Sequence, residues 1–182
     1  MKISGRSLRQ RLQLLGDELS RAKHYRGYGV HSPFVYGLVR KAFMCKGLIE
    51  GTGSALYDEL RANGMAEKRA RKLHNVLQYI EGGSYSINSV EGDLSILMAD
   101  YPTEQLREAY ERAKREKVTL VISQPYLNRD RQNEVRALME CHGSTTVDNR
   151  AYMLFFNNRL PKQHYRLLNY IPKVEIKGVH RL

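Results

Sequence analysis

Residues 94–122 read LSILMADYPTEQLREAYERAKREKVTLVI, and this stretch decides the fold. Residues 94–99 are apolar enough for a buried strand. Thr103 reads as the cap of a helix running to about Lys117, with Glu108–Arg112 and Glu111–Arg115 spaced four apart on its exposed face. Residues 118–122, Val-Thr-Leu-Val-Ile, form the continuous apolar run of a central parallel strand. Strand, helix and strand of these lengths make a βαβ unit, which predicts that the two strands lie parallel.

Toward the C-terminus, Asn128 or Asp130 starts a helix carrying Val135, Leu138 and Met139 inward. Thr145–Val147 and Tyr152–Phe156 then alternate about the turn Asp148-Asn149-Arg150, which predicts an antiparallel hairpin at one sheet edge. Toward the N-terminus, residues 85–90 alternate as a strand. Only Glu91-Gly92-Asp93 separate them from residue 94, so antiparallel pairing with 94–99 is expected. Helices precede this strand. One covers residues 66–80, with Ala66, Ala70, Leu73, Leu77 and Ile80 on one side and Arg69, Arg71 and Lys72 facing out. A short one covers 55–62, and a third runs from Pro33 to about Met44 behind an N-cap at Ser32, with Phe34, Leu38 and Ala42 inward. A fourth, over 7–23, carries a stripe of Leu8, Leu12, Leu15 and Leu19. The organisation is a helical region (1–83), an α/β sheet region (84–170) and a tail from Ile171 to Leu182.

The net charge of +11 is uneven. Residues 1–46 hold ten Lys/Arg against Asp17 and Glu18, leaving +3 for the rest. A basic arm of this kind attracts anionic partners. Arg6, Arg9, Arg11, Lys23 and Arg26 are its candidate nucleic-acid or anion contacts, and the leucine stripe is a candidate contact for a second copy or a protein partner. Apolar runs are only a few residues long, which argues against a membrane span. Cys45 and Cys141 stand alone without metal-ligand spacing, as in a reducing cytoplasm, and the six histidines form no zinc motif.

The segment Arg26-Gly-Tyr-Gly-Val-His-Ser-Pro-Phe-Val-Tyr36 resembles a signature near the N-terminus of one bacterial subgroup of class I S-adenosylmethionine-dependent methyltransferases. Lys68 to Ile80 is similar to the family helix that feeds the first sheet strand. Thr146 to Phe156 with Lys162-Gln163-His164-Tyr165 is similar to the family's final hairpin and closing signature. The resemblance implies a Rossmann-like sheet, but with a shortened one here. In the family a first strand ends in an acidic residue and a Gly-x-Gly turn, and a second strand supplies an acid for the ribose. Three residues after 85–90 cannot hold a loop, a helix and a further strand, so the cofactor half is missing. The strand 94–99 matches the family's fourth, and Asp100 its terminal acid, although Tyr101-Pro102-Thr103 departs from the Gly-Asn-His that follows there. After 118–122 stands Ser123-Gln124-Pro125-Tyr126 where the family shows Asp and Trp.

His31, Asp100 and His164 are therefore the candidate ligand-binding residues, with the two histidines expected to meet if the two signatures do. A brace for the helix at Pro33 is the plainer role for His31, and a turn or cap the plainer role for Asp100. Gly51-Thr52-Gly53-Ser54 suggests a phosphate loop, yet no strand precedes it and no Lys follows. No catalytic residue, metal or resident cofactor is assigned. The expectation is a degenerate methyltransferase-like protein that binds or assembles. The alternatives are a methyltransferase completed by a partner subunit, which would use S-adenosylmethionine, and a basic nucleic-acid-binding protein.

Overall fold

A computed structural model describes residues 30–51 and 53–167. The helix expected over 7–23, its leucine stripe, the arm residues Arg6, Arg9, Arg11, Lys23 and Arg26, and the tail from Ile171 lie outside the described residues. The rest is an α/β structure built on a mixed six-stranded sheet. In chain order the elements are α1 (Pro33–Gly37), continued by a π-helical turn (Leu38–Phe43), α2 (Ala55–Ala62), α3 (Glu67–Tyr79), β1 (Tyr85–Ile87), β2 (Leu94–Leu97), α4 (Leu106–Glu116), β3 (Thr119–Ser123), α5 (Arg129–Cys141), β4 (Thr146–Asp148), β5 (Tyr152–Phe155) and β6 (His164–Arg166). The spatial order is β1-β2-β3-β5-β4-β6.

β2 and β3 are parallel neighbours, as the βαβ spacing predicts, with Ile96 opposite Val121. β4 and β5 form the expected antiparallel hairpin, with β5 against β3, but the hairpin is not the sheet edge where it was expected. β6 adds a parallel strand outside β4.

The direction of β1 corrects the sequence reading. It runs parallel to β2, with Tyr85 opposite Leu94 and Ile87 opposite Ile96. The strand stops at Ile87, so the connection comprises six residues rather than three. Asn88 turns at φ 56° and Gly92 at φ 73°, which folds the chain back without a helix. Its polar groups are satisfied locally. The Ser86 and Ser95 hydroxyls sit 3.0 Å apart and share the backbone of Glu91. The Asp93 carboxylate accepts from Gly83 N, Ser84 N and Ser84 Oγ at 2.8–2.9 Å, which fixes the entry to β1. Those bonds, led by the Ser84 hydroxyl, hold the Asp93 carboxyl below its ordinary range.

Alternation along the strands builds a core on each face. Leu94, Ile96, Val121, Leu154 and Phe156 pack with α1–α3, and Leu97, Leu120, Ile122, Met153 and Phe155 with α4 and α5. Ser32 Oγ accepts from Val35 N at 3.3 Å and Pro33 opens α1, so the cap falls where the sequence places it. Two local expectations fail. Thr103 makes no cap hydrogen bond but starts a 3₁₀ turn ahead of α4. The ion pairs on α4 are Arg112–Glu116 at 2.8 Å and Lys114–Glu111 at 3.9 Å, because rotamers choose among several acids within reach.

At the end of α5, His142 is buried between Tyr110 and Phe155. Its Nε2 donates to Phe156 O at 3.3 Å, so Nδ1 accepts the Tyr110 hydroxyl at 3.0 Å. Burial, with Lys114 and Lys162 nearby, lowers the pKa of His142 below its ordinary 6.5. The unfolded chain then takes up a proton near pH 6.5 that the folded chain refuses, so stability falls as pH drops below that value. Urea midpoints at pH 7.5 and 5.0 should separate more for the parent than for His142→Gln.

Candidate functional site

In α/β sheets, ligands gather beyond the carboxyl ends of the parallel strands. That rim is formed here by Asn88 after β1, Asp100 after β2, and Ser123 with Gln124 at the end of β3. The chain itself occupies much of it. Asn88 Oδ1 accepts from Met98 N at 2.8 Å, its Nδ2 donates to Asp100 Oδ1 at 3.3 Å, and its own N–H bonds Ile96 O at 2.9 Å. Asp100 is exposed and is held at the lip by this amide. No nucleophile or base faces it among these contacts.

Beneath the rim lies Arg131, with no exposed surface. Asn128 caps α5, its Oδ1 accepting from Arg131 N at 2.8 Å, and so aims the arginine at the strand ends. Nη1 donates to Tyr101 O at 2.8 Å, and Nη2 to Met98 O at 2.8 Å and Ser123 O at 3.1 Å. One cation thus ties the ends of β2 and β3 together through three backbone carbonyls. Burial lowers its pKa, partly opposed by Asp100. Asp148 is a second buried charge, accepting the Tyr126 hydroxyl at 2.5 Å and Arg150 N at 2.7 Å. The sequence reading missed both, treating Asp148 as a turn residue and giving Arg131 no role.

The candidate residues are not brought together. His31 is exposed just before α1, in the layer on one face of the sheet. His164 begins β6, with Nδ1 2.7 Å from Thr146 Oγ1, and borders a cavity against Val135 and Met139 of α5 on the other face. That cavity, about 30 Å³, has room for a water or two and nothing larger. Asp100 stands at the opposite end of the strands from His164.

The segment around His31 braces the helical layer. Phe34 packs on Tyr79 at 5.4 Å and edge-on to Phe156 at 5.0 Å, and the Tyr79 hydroxyl donates to Phe34 O at 2.8 Å. Gly37 leaves room for that hydroxyl, since a Cβ there would sit 2.3 Å from it.

Around Gly51 and Gly53 the loop leads from no strand, in line with the weak phosphate-loop reading. Ser54 Oγ donates to Asp58 Oδ2 at 2.6 Å, so a carboxylate already stands in the first turn of α2. The open cleft beside the loop, about 410 Å³, has Leu48, Ile49, Glu50 and His74 in its lining. His74 Nε2 donates to Ile49 O at 3.1 Å, and Asn75 bonds Ile49 N, Ala42 O and Gly47 O, so these α3 side chains hold the loop. Among the described residues, no three His, Cys, Asp or Glu side chains cluster to hold a metal ion, and no helix is long and apolar enough to cross a membrane.

No protein-family model, curated protein or solved structure matches the chain.

Proposed function

We propose that this chain is a shortened, degenerate relative of the class I S-adenosylmethionine-dependent methyltransferases that does not bind the cofactor and works as a binding or assembly protein in the cytoplasm. The six-residue parallel connection from Asn88 to Asp93 carries this reading. In a doubly wound sheet of order 3-2-1-4-5, the first strand is central and the cofactor lies beyond its end. With β1 as the first strand and β2 and β3 as the fourth and fifth, the second and third are absent and β1 becomes an edge. The turn that would cradle the cofactor is replaced by one that packs on Ser86 and Ser95. The ends of β2 and β3 are closed by Arg131, which supports a scaffold role over catalysis.

Isothermal titration with S-adenosylmethionine tests the reading. No saturable heat is expected up to millimolar cofactor, and binding in the low micromolar range would overturn it.

A further inference from the structure

The surplus charge of the chain is not spread over the fold. Residues 81–167, which form the sheet with α4 and α5, hold twelve Lys/Arg and twelve Asp/Glu. Residues 30–80, the helical layer, hold eight against four. Two of those four acids, Asp58 and Glu59, lie on α2, where Asp58 takes the Ser54 hydroxyl.

Most of the exposed cations of this layer lie on two neighbouring elements. The Tyr79–Phe34 and Asn75–Ala42 bonds set α3 antiparallel to α1 and its π-helical turn. Ala42 and Gly47, chain neighbours of Lys41 and Lys46, both bond Asn75, one turn along α3 from Lys72. Lys68, Arg71 and Lys72 follow on α3 at i, i+3 and i+4, and Arg71 pairs with Glu67 at 3.3 Å. Arg40, Lys41, Lys46, Lys68 and Arg69 are exposed. Burial first, and then the charges of Arg71 and Lys68, lower the pKa of Lys72 to about 8. Tyr36 leaves 48% of its surface open, four residues before Arg40, offering a ring beside the charge.

We infer that the α1–α3 layer is a docking surface for single-stranded nucleic acid, with Lys41, Lys46, Lys68 and Arg69 on the phosphates and Tyr36 stacking on a base. A phosphate chain can meet several exposed cations spread over two neighbouring elements in a way that a compact acidic side chain does not. This names a partner for the binding role proposed above and rests on that reading only for the absence of a competing cofactor function. Titration with S-adenosylmethionine and titration with nucleic acid report the two separately.

The test is fluorescence anisotropy of a labelled 20-nucleotide oligothymidine with the full chain at 50 mM and 200 mM salt. Lys68→Glu with Arg69→Glu should weaken binding at least tenfold and flatten the salt dependence. Lys114→Glu with Arg115→Glu, an equal change in net charge on α4, should change affinity less than twofold. Tyr36→Ala should weaken the oligothymidine more than a duplex of equal length. All five substituted residues are exposed or paired only at the surface, and thermal melts check folding. Equal losses from the two charge-reversal pairs, no binding by the parent at 50 mM salt, or binding confined to anionic lipid vesicles would each overturn the inference.

Discussion

Arg131→Ala is expected to lower the unfolding free energy by about 3–5 kcal/mol, the largest loss from any single polar substitution in the sheet region. The substitution takes the donors from three carbonyls, the buried Ser123 O and the part-buried Met98 O and Tyr101 O, and leaves a cavity where the fully buried side chain stood. Arg131→Lys keeps the charge but loses the planar fork that reaches all three, so its stability should fall between parent and alanine. Urea denaturation of the three proteins checks the order. An alanine variant within about 1 kcal/mol of the parent would show that the carbonyls find other partners and that Arg131 does not close the strand ends.

Asn88→Val carries the second large effect, about 2–4 kcal/mol. A β-branched residue is strained at φ 56°, and the substitution removes the acceptor for Met98 N and the donor to Asp100. Asn88→Gly separates the two causes, because it accepts the backbone angle and loses only the side-chain bonds. It should cost roughly half as much. Thermal melts followed by circular dichroism would distinguish the pair, and equal losses for Val and Gly would remove backbone strain from the account.

The parallel pairing of β2 with β3 was legible because residues 94–122 contain a strand, a helix and a strand with little room for another arrangement. The hairpin of β4 and β5 was legible from alternation about Asp148-Asn149-Arg150. The direction of β1 was not. Alternation through Val90 extended the apparent strand and shortened the connection to three residues, whereas Asn88 takes a left-handed turn at residue 88. Parallel neighbours usually need a crossover of a dozen residues or more, so six residues read naturally as a hairpin. The left-handed turns at Asn88 and Gly92 and the hydroxyl pair of Ser86 and Ser95, joined across space, accompany the shorter path.

The candidate site was less legible still. His31 and His164 were linked through two signatures of one resemblance, and signatures carry no information about which face of a sheet a side chain takes. Arg131 sits in a polar run, Asn128-Arg-Asp-Arg-Gln-Asn133, where any arginine passes for a solvated one. Its role depends on carbonyls 8, 30 and 33 residues away in sequence.

Cross-strand nuclear Overhauser effects in the isotope-labelled full chain test the central claim, that β1 is a parallel edge strand reached by a six-residue connection. The expected contacts place Tyr85 beside Leu94, Ser86 beside Ser95 and Ile87 beside Ile96, with the Asn88 amide near Ile96. Contacts that bring Ile87 beside Leu94 and Tyr85 beside Ile96 would mean an antiparallel hairpin, and the missing half of the sheet would lose its structural support.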